Sequence, residues 1–227
     1  MFIPIPIRFH DGRAFHAIPV ANALLIALNV MIFFFGYGAE LGVGRGSGFF
    51  SIFTHAFGHV GIYHLVGNML ALLVFGTPVN RRLGNGWYLV VYFGTVLALG
   101  LFGWLFCSGR LVGASGVIFA VIAIALMLFP SALIEIAYFA LFPVTVLAGL
   151  LSRPKHWVFW FIRWDVMTLR AYWGLLLVPF LEFWGLFWSG WNWTNLGHLA
   201  GLACGVIAVL LLPTTITLNR RSRVSLI

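Results

Sequence analysis

Six long apolar runs dominate the chain, at roughly 18–36, 62–79, 87–106, 113–129, 171–189 and 196–212. Each is near the 17–25 residues that a helix needs to cross a bilayer. Polar and basic residues collect between them. The pattern predicts an all-α membrane protein, a six-helix transmembrane bundle forming a single domain over residues 1–227. Two stretches break the pattern. Residues 37–58 are glycine-rich, and their second half, Phe49–Phe57, is apolar enough to lie in the membrane rather than above it. Irregular backbone at that depth must be covered by protein or line a wet cavity. Residues 132–151 are apolar enough to cross but contain Glu135 and Pro143, and His156–Asp165 is too short to span. The expectation for 131–170 is an interfacial or re-entrant insertion on the inner side.

Composition agrees with a membrane protein. Hydrophobic residues make up 62%, charged residues 8%, and the mean hydropathy is +1.05. A soluble domain carries about 25% charge. Tryptophans 87, 104, 188, 191 and 193 sit near the ends of the runs, as interfacial belts do. The net charge of +8 is compatible with nucleic acid, but its distribution argues otherwise. With the N-terminus inside, Arg8, Arg13, Arg81, Arg82, Arg153, Lys155, Arg163, Arg170, Arg220, Arg221 and Arg223 all fall inside. Only Arg45 and Arg110 fall outside. This is a positive-inside bias, which makes both termini cytoplasmic and the charge a matter of topology. Nucleic acid is not an expected partner. Cys107 and Cys204 offer neither a disulfide framework nor a metal spacing. Met1–Arg13 reads as a short amphipathic lead with no cleavable signal, and the first run is long enough to remain as a helix.

The candidate chemistry starts with Ser115 and His198. Each opens an apolar run and lies fifteen residues before a proline, Pro130 and Pro213. Both are therefore about 22 Å above the point where their helices stop. If the helices run the same way, the two residues share one plane below one membrane surface. Ser115 lies in Gly113-Ala114-Ser115-Gly116, at a helix N-terminus where free N–H groups favour negative charge. His198 follows Gly197, and Gly197, Gly201 and Gly205 form one face that lets another backbone approach. A neutral imidazole there can take the proton that a serine must lose to become a nucleophile. The competing reading is small-residue helix packing with an interfacial histidine. Pairing the two residues requires an even number of crossings between them, and on that premise 132–151 is not read as a crossing. His64 and Asn68 share one helix face, and Asn68 falls near the depth of Ser115. Both carry donors suited to an oxyanion, although interhelical glue is the alternative. His55, His59 and His64 as zinc ligands are a weaker reading, because their spacing is not i, i+4 throughout. Among the five acids, four lie away from the site, and Glu182 is placed midway along its helix, about 18 Å from the inner end. The expected machinery is thus a Ser–His dyad, with Glu182 either functional or hydrogen-bonded for structure.

These residues resemble the rhomboid family of intramembrane serine proteases. That family carries H-x4-H-x3-N, G-x-S-G and a histidine in a glycine-rich last helix. Here these are His59/His64/Asn68, Gly113-Ala114-Ser115-Gly116, and Gly197-His198 with Gly201 and Gly205. The likeness extends over 49–130 and 194–212, and Phe53-Thr54-His55 also resembles the family. The resemblance implies six transmembrane helices and a serine endopeptidase without cofactor or metal, acting on transmembrane segments of other proteins in the lipid bilayer. By that resemblance Ser115 is the nucleophile and His198 the general base. His64, Asn68 and the Ser115 N–H form the oxyanion hole, and His59 is structural. Gly113, Gly116, Gly197 and Gly201 support the backbone. The aromatic helix 171–189, with Trp173, Phe180 and Trp184, is the expected lateral gate. Three positions depart from the family: Phe50-Ser51 replaces a Trp-Arg pair, Phe119 replaces a tyrosine, and the interval between Ser115 and His198 is long. Such a compact layout fits a bacterial inner membrane. Two alternatives remain: an inactive relative that binds client transmembrane helices, and a small transporter with a histidine proton relay.

Overall fold

Long apolar runs fold as helices because a bilayer offers no water to backbone N–H and C=O groups. The computed structural model describes residues 2–10, 18–141, 145 and 162–213. Within them α1 is Val20–Phe34, α2 a single turn at Ser51–Thr54, α3 Ile62–Ala71 and α4 Thr77–Phe106. Three more follow: α5 is Ser115–Leu128, α6 Ala171–Ser189 and α7 Trp193–Leu211. A π-helical turn, Leu72–Gly76, joins α3 to α4 in one element, Ile62–Phe106. That element breaks at Gly84, whose φ of +76° suits only glycine. The runs expected at 62–79 and 87–106 are its two arms. Ile62–Phe106, Ala171–Trp188 and Trp193–Leu211 are long and apolar enough to cross a membrane, while α1 and α5 are shorter apolar helices.

The surface is apolar and the interior holds polar side chains. Leu24, Phe34, Leu176, Phe187 and Leu210 are more than 60% exposed, whereas Asn22, Asn29, Asn80 and Thr95 are buried. Exposed apolar surface of this extent belongs against lipid. Asn22 shows what the buried amides do. Its Nδ2 donates to the Leu72 carbonyl at 2.9 Å, and its Oδ1 accepts from the Tyr88 hydroxyl at 2.7 Å. Leu72 opens the π turn, so this bond ties α1 to the point where the helix widens. Its backbone N–H donates to Asn80 Oδ1 at 3.0 Å, tying α1 to α4.

The expectation of an all-α fold needs correction. Among the described residues, three strands form an antiparallel sheet in the order β1-β2-β3: Phe2–His10, Leu133–Leu141 and Ile162–Arg170. The amphipathic lead is β1, and the inner-side insertion begins and ends as strand. The physical reason is alternation. Along the second half of β3, Val166, Thr168 and Arg170 are exposed while Met167 and Leu169 are half-buried. Pro4 and Pro6 are tolerated because β1 is an edge strand. Phe9 anchors β1 by packing edge-on to Phe75 and Phe129, each at 5.8 Å. Glu135 pairs with His10 at 3.0 Å and Arg8 at 3.7 Å. Pro143 and the basic positions 13, 153, 155, 220, 221 and 223 lie outside the described residues.

On the opposite side, the loop after α1 is laced to the segment that precedes α5. Val43 and Leu111 exchange backbone hydrogen bonds of 2.9 and 2.8 Å, and the Arg45 N–H donates to the Cys107 carbonyl. Val43, Ile52, Cys107 and Leu111 form a small core beneath this pairing.

Candidate active site

Ser115 is the first residue of α5, so its N–H is among those with no intrahelical acceptor. The turn before it depends on Gly113, whose φ is +108°. Gly113 donates its N–H to the His55 carbonyl at 2.8 Å, which fixes the serine turn to the outer loop. His55 is 2% exposed, and its Nδ1 lies 3.2 Å from the Ile52 carbonyl. Burial pushes its imidazole down to about 4, outweighing the opposing pull of that carbonyl.

α7 carries His198 to the same place. A Cβ on Gly201 would strike the Gly116 backbone, and one on Gly205 would strike the Ala120 backbone. The two helices therefore run parallel at close backbone contact. Asn192 caps α7 by accepting from the Thr194 N–H at 2.9 Å. Ser115 and His198 line one cavity of about 30 Å³, with His55, Gly113 and Thr194. That is room for a water or two. The His198 ring lies flat on Phe119, with centroids 4.1 Å apart and planes 8° apart. Its Nε2 is buried and has no hydrogen-bond partner.

His64 and Asn68 flank the serine turn. A Cβ on Gly113 would stand 2.8 Å from His64 Nε2 and 3.5 Å from Asn68 Nδ2. Only glycine leaves space for both. His59 braces this pair: its Nδ1 is 3.3 Å from the Phe57 carbonyl and its Nε2 is 3.0 Å from Asn68 Nδ2. With Nδ1–H donating to Phe57, Nε2 accepts from the amide and fixes its orientation. Both His59 nitrogens are thereby engaged, which argues against the zinc reading. Gly197 and Gly116 complete the floor, with the Gly197 carbonyl against Gly116.

The expectation that no acid reaches the histidine is wrong. Glu182 Oε2 accepts from Asn195 Nδ2 at 2.7 Å and lies 3.1 Å from His198 Nδ1. The side chains of His198 and Glu182 are 16% and 13% exposed. A usable signal was present. α6 and α7 form a hairpin turning near Gly190, and Glu182 lies eight residues before it, His198 eight after. Antiparallel helices place such positions at one depth. Measuring depth from the inner end of α6 alone concealed the match.

A family model of the rhomboid domain matches residues 46–214. The chain belongs to the rhomboid family. The match contains all the site residues above and leaves β1 and α1 outside it. Over 127 residues the rhomboid is 29% identical to Rhomboid protease GluP of Bacillus subtilis, covering 49% of this chain and 24% of that protein. Over 141 residues it is 32% identical to the mitochondrial Rhomboid protein 1 of Saccharomyces cerevisiae, covering 59% of this chain and 41% of that one. The matches thus span less than half of either relative. Family and apolar helices together make this an integral, multi-pass membrane protein.

Proposed function

We propose that this rhomboid is an intramembrane serine endopeptidase that cleaves peptide bonds in or near transmembrane segments of other membrane proteins. The observation that carries the reading is one crevice holding Ser115 at a helix N-terminus and His198 with an unpartnered Nε2. Ser115 Oγ attacks the scissile carbonyl and its proton passes to His198 Nε2. The oxyanion is met by the Ser115 N–H and the side chains of His64 and Asn68. His198 returns the proton to the leaving amine. It then takes one from the water that hydrolyses the acyl-enzyme and gives it to Ser115 Oγ as the acyl C–O bond breaks. No cofactor is needed.

Six crossings with both termini cytoplasmic give this geometry its depth, the kinked 62–106 element supplying two. A second apolar cavity, of about 470 Å³, runs between α5 and α6 from the sheet up to Phe119 and Glu182. It supports entry of the substrate from lipid beside α6. The substrate helix must unwind there, because a helical peptide bond is shielded by its own hydrogen bonds. Helix-breaking residues and small side chains at the cut are expected.

Labelling purified protein in detergent with a fluorophosphonate tests this reading. Wild type should label, and Ser115→Ala and His198→Ala should not. A folded wild type that fails to label favours the inactive, client-binding alternative.

A further inference from the structure

We propose that Glu182 is a positioning residue that completes a Ser115–His198–Glu182 triad within the membrane. The inference deepens the protease reading and rests on it. A carboxylate at this depth demands partners, and both partners found here are on α7. Oε2 accepts the Asn195 amide at 2.7 Å, so Oε2 is not the oxygen that would carry a proton. The contact with His198 at 3.1 Å is then donation by Nδ1–H to Oε2. That tautomer leaves the Nε2 lone pair free to accept the Ser115 proton. As Nε2 takes the proton, the imidazolium forms against a carboxylate already in place. No other carboxylate faces the ring among the described residues. α5 contributes Ser115 and Phe119, α3 contributes His64, and the outer loop contributes His55. Neither histidine can offset the new positive charge.

The surrounding structure is shaped around this contact. Gly185 lies one turn after Glu182, and a Cβ there would stand 2.7 Å from Asn195 Nδ2. A glycine at that position lets Asn195 reach across to the carboxylate. Phe119 holds the ring plane from the other helix. The imidazole is thus fixed on its face and at its Nδ1 edge, with Nε2 the remaining free atom.

The test compares Glu182→Gln and Glu182→Ala with wild type on a transmembrane substrate in proteoliposomes, measuring kcat and KM separately. Glu182→Gln should lower kcat at least about tenfold, bounded by the roughly 10²–10⁴-fold worth of a general base, with KM unchanged. Glu182→Ala should lose at least as much. A packing role alone would spare the isosteric glutamine variant. A second measurement requires no variant at position 182. In ¹⁵N-histidine-labelled wild type, the signals missing from His198→Ala should report Nδ1 protonated and Nε2 bare. Full kcat in Glu182→Gln, or an Nε2–H tautomer in the resting protein, overturns the triad. If Ser115→Ala itself still cleaves, the protease reading has failed instead.

Discussion

Gly201→Ala is the sharpest probe of the α5–α7 contact. The new methyl would strike the Gly116 carbonyl oxygen first, with the carbonyl carbon at 2.9 Å and the Cα at 3.4 Å. Carbon–carbon contacts settle at about 3.5–4.0 Å, so clearing the carbonyl carbon alone moves α7 by about 0.6 Å or more, and the oxygen, nearer still, demands a larger retreat. Overpacking of this kind costs about 1–3 kcal/mol. The fold should survive. The site should not, because His198 is one turn from Gly201 and Ser115 adjoins Gly116. A misplacement of about 1 Å in a catalytic group costs on the order of 10²-fold in rate. Gly94→Ala is the control, since a methyl added there would have no neighbour within 4 Å. The assay is initial-rate cleavage in detergent beside a thermal melt. Expected are a loss on the order of 10²-fold for Gly201→Ala and wild-type rates for Gly94→Ala. A folded Gly201→Ala with undiminished activity would refute the claim that this contact sets the Ser115–His198 geometry.

Three other perturbations bear on the site and its surroundings. Asn68→Ala and His64→Ala should each lower kcat by about 10²–10³-fold with little change in KM, the loss typical of one oxyanion donor; equal loss in KM would mark them as binding residues. His55 has a folded pKa of about 4 against 6.5 unfolded. Its contribution to stability is therefore full above about pH 6.5 and is lost as pH falls through about 4. Melting temperatures of wild type and His55→Phe should converge or cross over that window, and parallel curves would remove the histidine from the acid response. A disulfide locking α6 to α3 should abolish cleavage of transmembrane substrates and be reversed by reductant; unchanged turnover in the oxidised form would exclude entry between those helices.

Much of this fold was legible because its signals are local. Unbroken apolar runs mark helices, and glycines at 197, 201 and 205 mark the face of α7 that meets α5. Gly113 before Ser115 marks a turn that no side chain could enter. The sheet was not legible, because β1 pairs with β2 more than 120 residues away, as His10 with Glu135 shows. Neither strand carries its partner in its own sequence. Residues 133–141 are also apolar enough to pass for helix, since a two-residue period is hidden when both faces are hydrophobic. The π turn at Leu72–Gly76 is hydrogen-bonded by Asn22, fifty residues earlier. Glu182 was visible as an intramembrane acid, but its partner follows from the hairpin register and not from its own helix.

The most direct measurement reconstitutes the protein in proteoliposomes with a single-pass substrate and maps the products by mass spectrometry. The account predicts one cut in the outer half of the substrate's transmembrane segment, with none in Ser115→Ala or His198→Ala. Cleavage that persists in Ser115→Ala, or a wild type that cuts only at sites remote from the transmembrane segment, would contradict it.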